Sequence, residues 1–343
     1  MNRTFRLVRS RALILLAGLA LGTLVAATGA ATASGAIAPP PAGNHPQTVV
    51  RNTCARSSLD VPSCGLLWGL FTKSQNYAPI ESQVGRQFDL VKNYVGWQAG
   101  GTFPDAADKA LVANGQRTLY ISWNAVNYST NARISYQAVA NGTYDKTVII
   151  PEAKALIAFK QKIFLDFSHE FDNKTQAQNG TPAQFAAAYQ HIHQVFAAQG
   201  VTNVIWVWVS TGFMGHTSQI AAGYPGSSYV NWIGYDPYNF YTCHNGHWYS
   251  PTQVFAPFYN WLQTQSGMKG KPVLLSEYGS LAGSGVQAWY AGVAPALQAL
   301  PLLKAAIMYD AEPSAACDWL LSQSPVAMKG FITSGLSPYV TGS

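Results

Sequence analysis

Charge is scarce in this chain. Lys and Arg number 21 and Asp and Glu 15 in 343 residues, so charged side chains make up 10% while aromatic ones reach 13%. A composition so short of charge and so rich in rings excludes a disordered segment or a nucleic-acid coat, which are charge-dense and aromatic-poor. Cysteine is rare as well. Cys54, Cys64, Cys243 and Cys317 form no CxxC pair, which removes the usual zinc frameworks and points to disulfides in an oxidising compartment. No Gly-rich phosphate loop follows any apolar run, which removes the usual nucleotide sites. The longest apolar run, residues 12–25, is shorter than the roughly 20 residues that cross a bilayer.

What is there explains the basic balance. Arg3, Arg6, Arg9 and Arg11 precede the apolar run, and the small-residue site Ala31-Thr32-Ala33 follows it, which predicts a secretory signal over residues 1–33. Without those four arginines, 17 basic residues face 15 acidic ones and the formal charge of +6 becomes +2. Charge is then a sign of export and not of an anionic partner. The expectation is a secreted, extracellular monomer with no nucleic-acid partner and no membrane contact once the signal is removed. Residues 34–50, with Pro39, Pro40, Pro41, Gly43 and Pro46, read as a flexible lead-in, and 51–343 as one domain. Cys54–Cys64, favoured by its short loop, and Cys243–Cys317 are the expected disulfides.

Eight short runs rich in β-branched and aromatic residues recur over 66–73, 90–97, 117–124, 162–170, 204–211, 229–238, 272–280 and 305–312. Helix-like segments separate most of them. Over 181–199, Thr181-Pro182 supplies an N-cap and first turn and Gly200 a stop, while Phe185, Tyr189, Ile192 and Phe196 recur at helical spacing. Runs starting about every 34 residues match βαβ units of roughly 30. Eight of them predict an α/β fold of the (β/α)8 TIM-barrel type, with a doubly wound open sheet as the alternative.

Barrel active sites sit where strands end, so the ends of the runs carry the chemistry. Run four ends on His169-Glu170, and run seven holds Glu277 near its end. Two carboxyls on separate strands facing one mouth suit glycoside hydrolysis, in which one donates a proton to the leaving oxygen and the other attacks the anomeric carbon. Asp166 shares strand parity with Glu170 and is expected inside the barrel. Asp236, Asp310 and Glu312 follow strands six and eight, as either sugar ligands or capping residues. Trp97, Trp123, Trp232 and Tyr235 are candidate stacking platforms for the apolar face of sugars, with Trp232 the one that reads as core. His244 and His247 beside Cys243 read as loop residues at the cleft. No metal and no cofactor is expected.

Four ordered stretches resemble glycoside hydrolase family 26, known for endo-β-1,4-mannanases: GTYDKTVIIPEAKAL at 142–156, SHEF at 168–171, YPGSSYVNWIGYDPYN at 224–239 and PVLLSEYGS at 272–280. The resemblance implies Glu170 as acid/base and Glu277 as nucleophile of a retaining β-glycanase acting on a neutral polysaccharide. It implies His169 at the substrate, Tyr238 as hydrogen-bond partner of the nucleophile, and Trp123 and Asn124 at the border of the sugar site. Three departures surround the catalytic subsite. Asp166 stands where family members commonly have Arg, no Trp follows the His-Glu pair within 171–180, and the eighth strand offers Tyr309 where relatives offer Trp or Phe. Mannan is the leading substrate. Mixed-linkage β-glucan, β-1,3-xylan or another glycan, and a non-catalytic carbohydrate-binding barrel, are the alternatives.

Overall fold

The computed structural model describes residues 52–244, 246–314, 316–321 and 324–342. The signal expected over 1–33 and the lead-in over 34–50 lie outside the described residues. Eight parallel strands run β1 (Leu67–Thr72), β2 (Leu90–Val95), β3 (Thr118–Trp123), β4 (Ile163–Phe167), β5 (Val204–Ser210), β6 (Trp232–Tyr235), β7 (Val273–Ser280) and β8 (Leu303–Asp310). Each pairs with its neighbour in sequence, and β8 pairs with both β7 and β1, which closes the sheet into a barrel with flanking helices. Each expected run holds one strand, with some trimmed ends. Run four stops at Phe167 and run six shrinks to four residues, so His169, Glu170, Asp236 and Tyr238 all lie beyond their barrel strands.

Strand parity sorts the side chains. Leu67 and Phe71, Leu90, Tyr120, Phe164, Ile205, Val207, Val209, Trp232, Leu274 and Ile307 fill the barrel interior, while the alternate residues join a larger core beneath the helices. The helix Pro182–Ala198 begins on a reciprocal cap, Thr181 Oγ1 accepting from Gln184 N at 3.3 Å and Gln184 Oε1 from Thr181 N at 2.8 Å. Its Phe185, Tyr189, Ile192 and Phe196 are buried. At the bottom of the barrel the segment tied by Cys54–Cys64 closes the floor. Trp232 Nε1 donates to Leu59 O at 2.8 Å, and Asp60 accepts from Thr118 Oγ1 at 3.0 Å and from Lys162 Nζ at 2.9 Å. At the top, Cys243–Cys317 joins the loop after β6 to the loop after β8. Among the described residues no helix is long and apolar enough to cross a membrane.

Candidate active site

Glu277 owes its position to an irregularity in β7. Leu275 and Tyr278 register with Ala306 and Met308 of β8, so β7 spends one residue more than its partner. Such a bulge re-aims a side chain. Here Glu277 turns toward the mouth while Tyr278 returns to the outer core. Its carboxylate is buried and fully engaged. Tyr238 Oη donates to Oε2 at 2.5 Å and Tyr94 Oη donates to Oε1, with Lys92 Nζ at 3.6 Å and His169 Nε2 at 3.7 Å. Burial works to raise its pKa, but the Lys92 ammonium, the His169 ring and the two phenol donors outweigh it and hold the carboxyl below its usual range. His169 is itself pushed down by burial, partly opposed by Glu277 and Asp166, so near neutral pH Lys92 is the effective cation.

Glu170 sits in a turn with two left-handed residues, Ser168 at φ 50° and Glu170 at φ 53°. Non-glycine residues rarely adopt that conformation, and it persists where surroundings hold it. Ser168 Oγ is bonded to Tyr136 Oη at 2.7 Å and Gln176 Oε1 at 3.2 Å, and buried Asp172 accepts from Thr211 N at 2.9 Å. Glu170 accepts from Asn173 Nδ2 at 2.8 Å. Burial, and next the charge of Glu277, push its pKa up to about 8. The two carboxyls therefore differ in the sense that an acid and a nucleophile require: one protonated, one ionised.

The raised value has a consequence for stability. In an unfolded chain Glu170 loses its proton near 4.5, whereas the fold keeps it longer. The stability this confers is whole below that pH and is lost as pH climbs toward about 8. Glu170→Gln escapes the loss, so its melting temperature relative to the parent is expected to rise between pH 4.5 and 8.5 in calorimetric scans. An equal offset at both ends would mean that Glu170 titrates normally.

Several sequence candidates gather here. Asn124 Oδ1 meets His169 Nδ1 at 2.8 Å, and Tyr309 stacks on Phe71 at 5.0 Å in the same pocket, whose volume is about 670 Å³. Asp236 is buried with neither carboxylate oxygen bonded among the described residues, and burial and the charge of Glu277 raise its pKa well above the usual value. Asp166 lies inside the barrel, accepting from Ser122 Oγ at 2.6 Å. Asp310 accepts from Leu321 N at 2.8 Å and so anchors the loop after β8, a structural use.

Three stacking candidates are corrected. Trp123 and Tyr235 occupy the outward parity of β3 and β6 and are fully buried under helices, Tyr235 Oη donating to Phe255 O at 2.7 Å. Trp97 is buried too and lies flat on Trp123 at 4.4 Å and 10°. None offers a face to a sugar.

Other residues of the site were not singled out in the sequence. Lys92 is a fully buried lysine on β2, donating to Ser276 O at 3.0 Å and Ser276 Oγ at 2.8 Å and lying 4.6 Å over the Tyr94 ring. An ammonium amid the apolar run LVKNYV was a readable signal. Tyr94, of the same parity, and Trp319, 4.8 Å from Tyr238, carried no signal beyond being aromatic. Two clusters among the described residues bring potential metal ligands together. In the cluster of Cys243, His244 and Cys317 both thiols are spent in the disulfide, while His169, Glu170 and Asp236 have ligand atoms within 4.8 Å of one another but include two carboxyls whose protonated forms are favoured.

The glycosyl hydrolase family 26 model matches residues 176–291, a span that takes in Tyr238 and Glu277 and begins after Glu170. Endoglucanase H of Acetivibrio thermocellus is 26% identical over 293 residues, covering 80% of this chain; the chain spans about a third (31%) of that protein's length. In structure, a family 26 β-mannanase from Bacteroides ovatus aligns with TM-score 0.60 and 15% identity over 82% of this chain and 91% of that one. A modular endo-β-1,4-mannanase from Cellulomonas fimi aligns with TM-score 0.59 and 16% identity over 80% and 71%. Both carry the same barrel.

Proposed function

We propose that this chain, whose residues 176–291 match the glycosyl hydrolase family 26 model, is a member of that family and a secreted, retaining, endo-acting β-glycanase. The observation that carries this reading is a pair of carboxyls lining one pocket in opposed surroundings, half-buried Glu170 raised by burial and the Glu277 charge, and buried Glu277 lowered by Lys92, His169 and its phenol donors. Glu170 protonates the glycosidic oxygen as Glu277 attacks the anomeric carbon, and the leaving sugar departs. Glu170, now ionised, takes a proton from water, which attacks the same carbon and releases Glu277. Tyr238 and Tyr94 bind the nucleophile's oxygens, and their grip must loosen as its charge is spent on the covalent bond.

The cleft continues on both sides of Glu170, which suits cleavage within a chain. A neutral backbone fits a pocket whose rings include Phe71, Tyr309 and Trp319. Mannan remains a reading because the aligned structures are mannanases. β-Glucan is placed ahead of it, because Endoglucanase H is the more similar in sequence at 26% against 15% and 16%. The Asp166 departure and the missing Trp after His169-Glu170 point the same way, away from a standard mannan site. Export through residues 1–33, a lead-in over 34–50, one barrel domain over 51–343 and a monomeric state complete the proposal.

Reducing-end release on barley mixed-linkage β-glucan, carob galactomannan and β-1,3-xylan tests it. Cleavage of glucan with oligosaccharides of several lengths appearing early is expected. Binding of a polymer with no cleavage would shift the reading to a silent carbohydrate-binding barrel.

A further inference from the structure

The reaction proposed for Glu170 and Glu277 gives Asp236 no role. This residue follows β6, is 3% exposed, and has neither carboxylate oxygen bonded among the described residues. A buried polar group without a partner costs free energy, so the site favours whatever can supply one. Asp236 lines the cleft next to Glu170, which opens it to a ligand from solvent. Ligand atoms of Asp236, Glu170 and His169 lie within 4.8 Å of one another.

Each of the three offers a lone pair. His169 Nδ1 lies 2.8 Å from Asn124 Oδ1, and an amide oxygen only accepts, so Nδ1 carries the proton and Nε2 keeps its lone pair. Asn124 is turned that way round by its Nδ2, which donates to Tyr128 Oη. A ring fixed by an amide or carbonyl on one nitrogen and bare on the other is the form in which histidine binds metals. Asn173 Nδ2 holds Glu170 Oε2 at 2.8 Å, which leaves Oε1 to the cleft. Negative charge collects at the same point, Asp236 feeling Glu277, Glu170 and Asp166 against Lys92. Two other His–carboxylate contacts among the described residues, His191–Asp145 and His216–Asp172, bring one carboxyl each.

We propose that His169 Nε2, Glu170 Oε1 and an oxygen of Asp236 bind one divalent transition-metal ion of the zinc class, and that the ion is a reversible inhibitor. One imidazole with two carboxylates suits zinc, whereas calcium and magnesium prefer shells of oxygen alone. Small side-chain rotations bring such atoms to about 2.0–2.2 Å from one ion. Ligating carboxylates are deprotonated, so the ion enters as protons leave to solvent. With Glu170 as a ligand, no proton remains for the glycosidic oxygen. Binding of the ion is independent of the glycanase reading; only the inhibition rests on Glu170 as acid/base.

The experiment titrates the full chain, freed of metal by EDTA and dialysed, with zinc chloride in a calorimeter. One site per chain is expected, with no comparable heat from magnesium or calcium chloride. Asp236→Asn and Glu170→Gln, which keep side-chain volume, should weaken zinc binding by about 100-fold or more, and Asn124→Ala, which frees the His169 ring, by about tenfold. His191→Ala and His216→Ala should bind zinc as the parent does. Melting curves without metal check that each variant is folded, and zinc should raise the melting temperature of the parent but not of Asp236→Asn. A parent that binds no zinc, or an affinity that survives both Asp236→Asn and Glu170→Gln, overturns the site. If zinc binds as expected while polysaccharide cleavage continues at saturation, the inhibition is overturned and Glu170 fails as acid/base. A parent that cleaves nothing ends the function reading, and the calorimetry still decides the metal site.

Discussion

Glu170→Gln and Glu277→Gln are expected to lose polysaccharide cleavage alike, by about 10³-fold or more in kcat, and to part company when the leaving group no longer needs a proton. On a 2,4-dinitrophenyl β-glycoside the departing phenolate is stable as an anion. Glu170→Gln should then still form the glycosyl-enzyme, seen as a burst of dinitrophenolate followed by a slow steady state. Azide, which needs no general base, should speed that second phase and yield a β-glycosyl azide. Glu277→Gln has no group to attack and should give no burst. The pH profile should agree with this division. In the parent, kcat/KM falls on the alkaline side as Glu170, pushed up to about 8 by burial and the Glu277 charge, loses its proton. It falls on the acid side below the usual carboxylate range, where Glu277 gains one. With the dinitrophenyl substrate, Glu170→Gln should keep the acid limb and lose the alkaline one. A burst from Glu277→Gln would remove it as nucleophile.

Lys92→Met is expected to move the acid limb of that profile upward by about 1–3 pH units, the usual effect of an opposite charge within a few ångströms of a carboxyl. The reason is geometric. Lys92 Nζ lies 3.6 Å from Glu277 Oε1 inside the barrel, where burial by itself raises the carboxyl's pKa. Met matches the length of the stem without the charge, so stacking over Tyr94 and Tyr120 is largely retained. Removing a desolvated ammonium also relieves a folding cost that offsets part of the lost bonds to Ser276. The variant should therefore fold, and near-neutral activity should suffer more than melting temperature. An acid limb left in place would reduce Lys92 to a core residue. The resemblance places a cation on β4, whereas here β4 carries an acid bonded to Ser122 and the cation comes from β2.

How much of this was readable differs by residue. Glu170 and Glu277 were found because both end apolar runs in a chain with only 15 acidic residues. Trp97, Trp123 and Tyr235 were misplaced because a ring near a strand end looks the same whether it points to the mouth or to a helix. One residue of parity decides between them, and boundaries read from composition are uncertain by more than that. Trp319 follows β8 in a stretch with no periodicity, so nothing local marked it.

The sequence by itself determined the eight-fold alternation of strands and helices and the short list of carboxyls from which an acid/base pair could be drawn. Those follow from periodicity and scarcity, which are local properties. Only the tertiary structure decided the protonation of those carboxyls and the shape of the cleft. A β7 bulge aims Glu277, a lysine 185 positions earlier in the chain helps to keep it ionised, and a turn with two left-handed residues brings Glu170 to the same pocket. Electrostatic energy depends on distance through space and on exclusion of water, and neither is encoded in the spacing of residues along the chain.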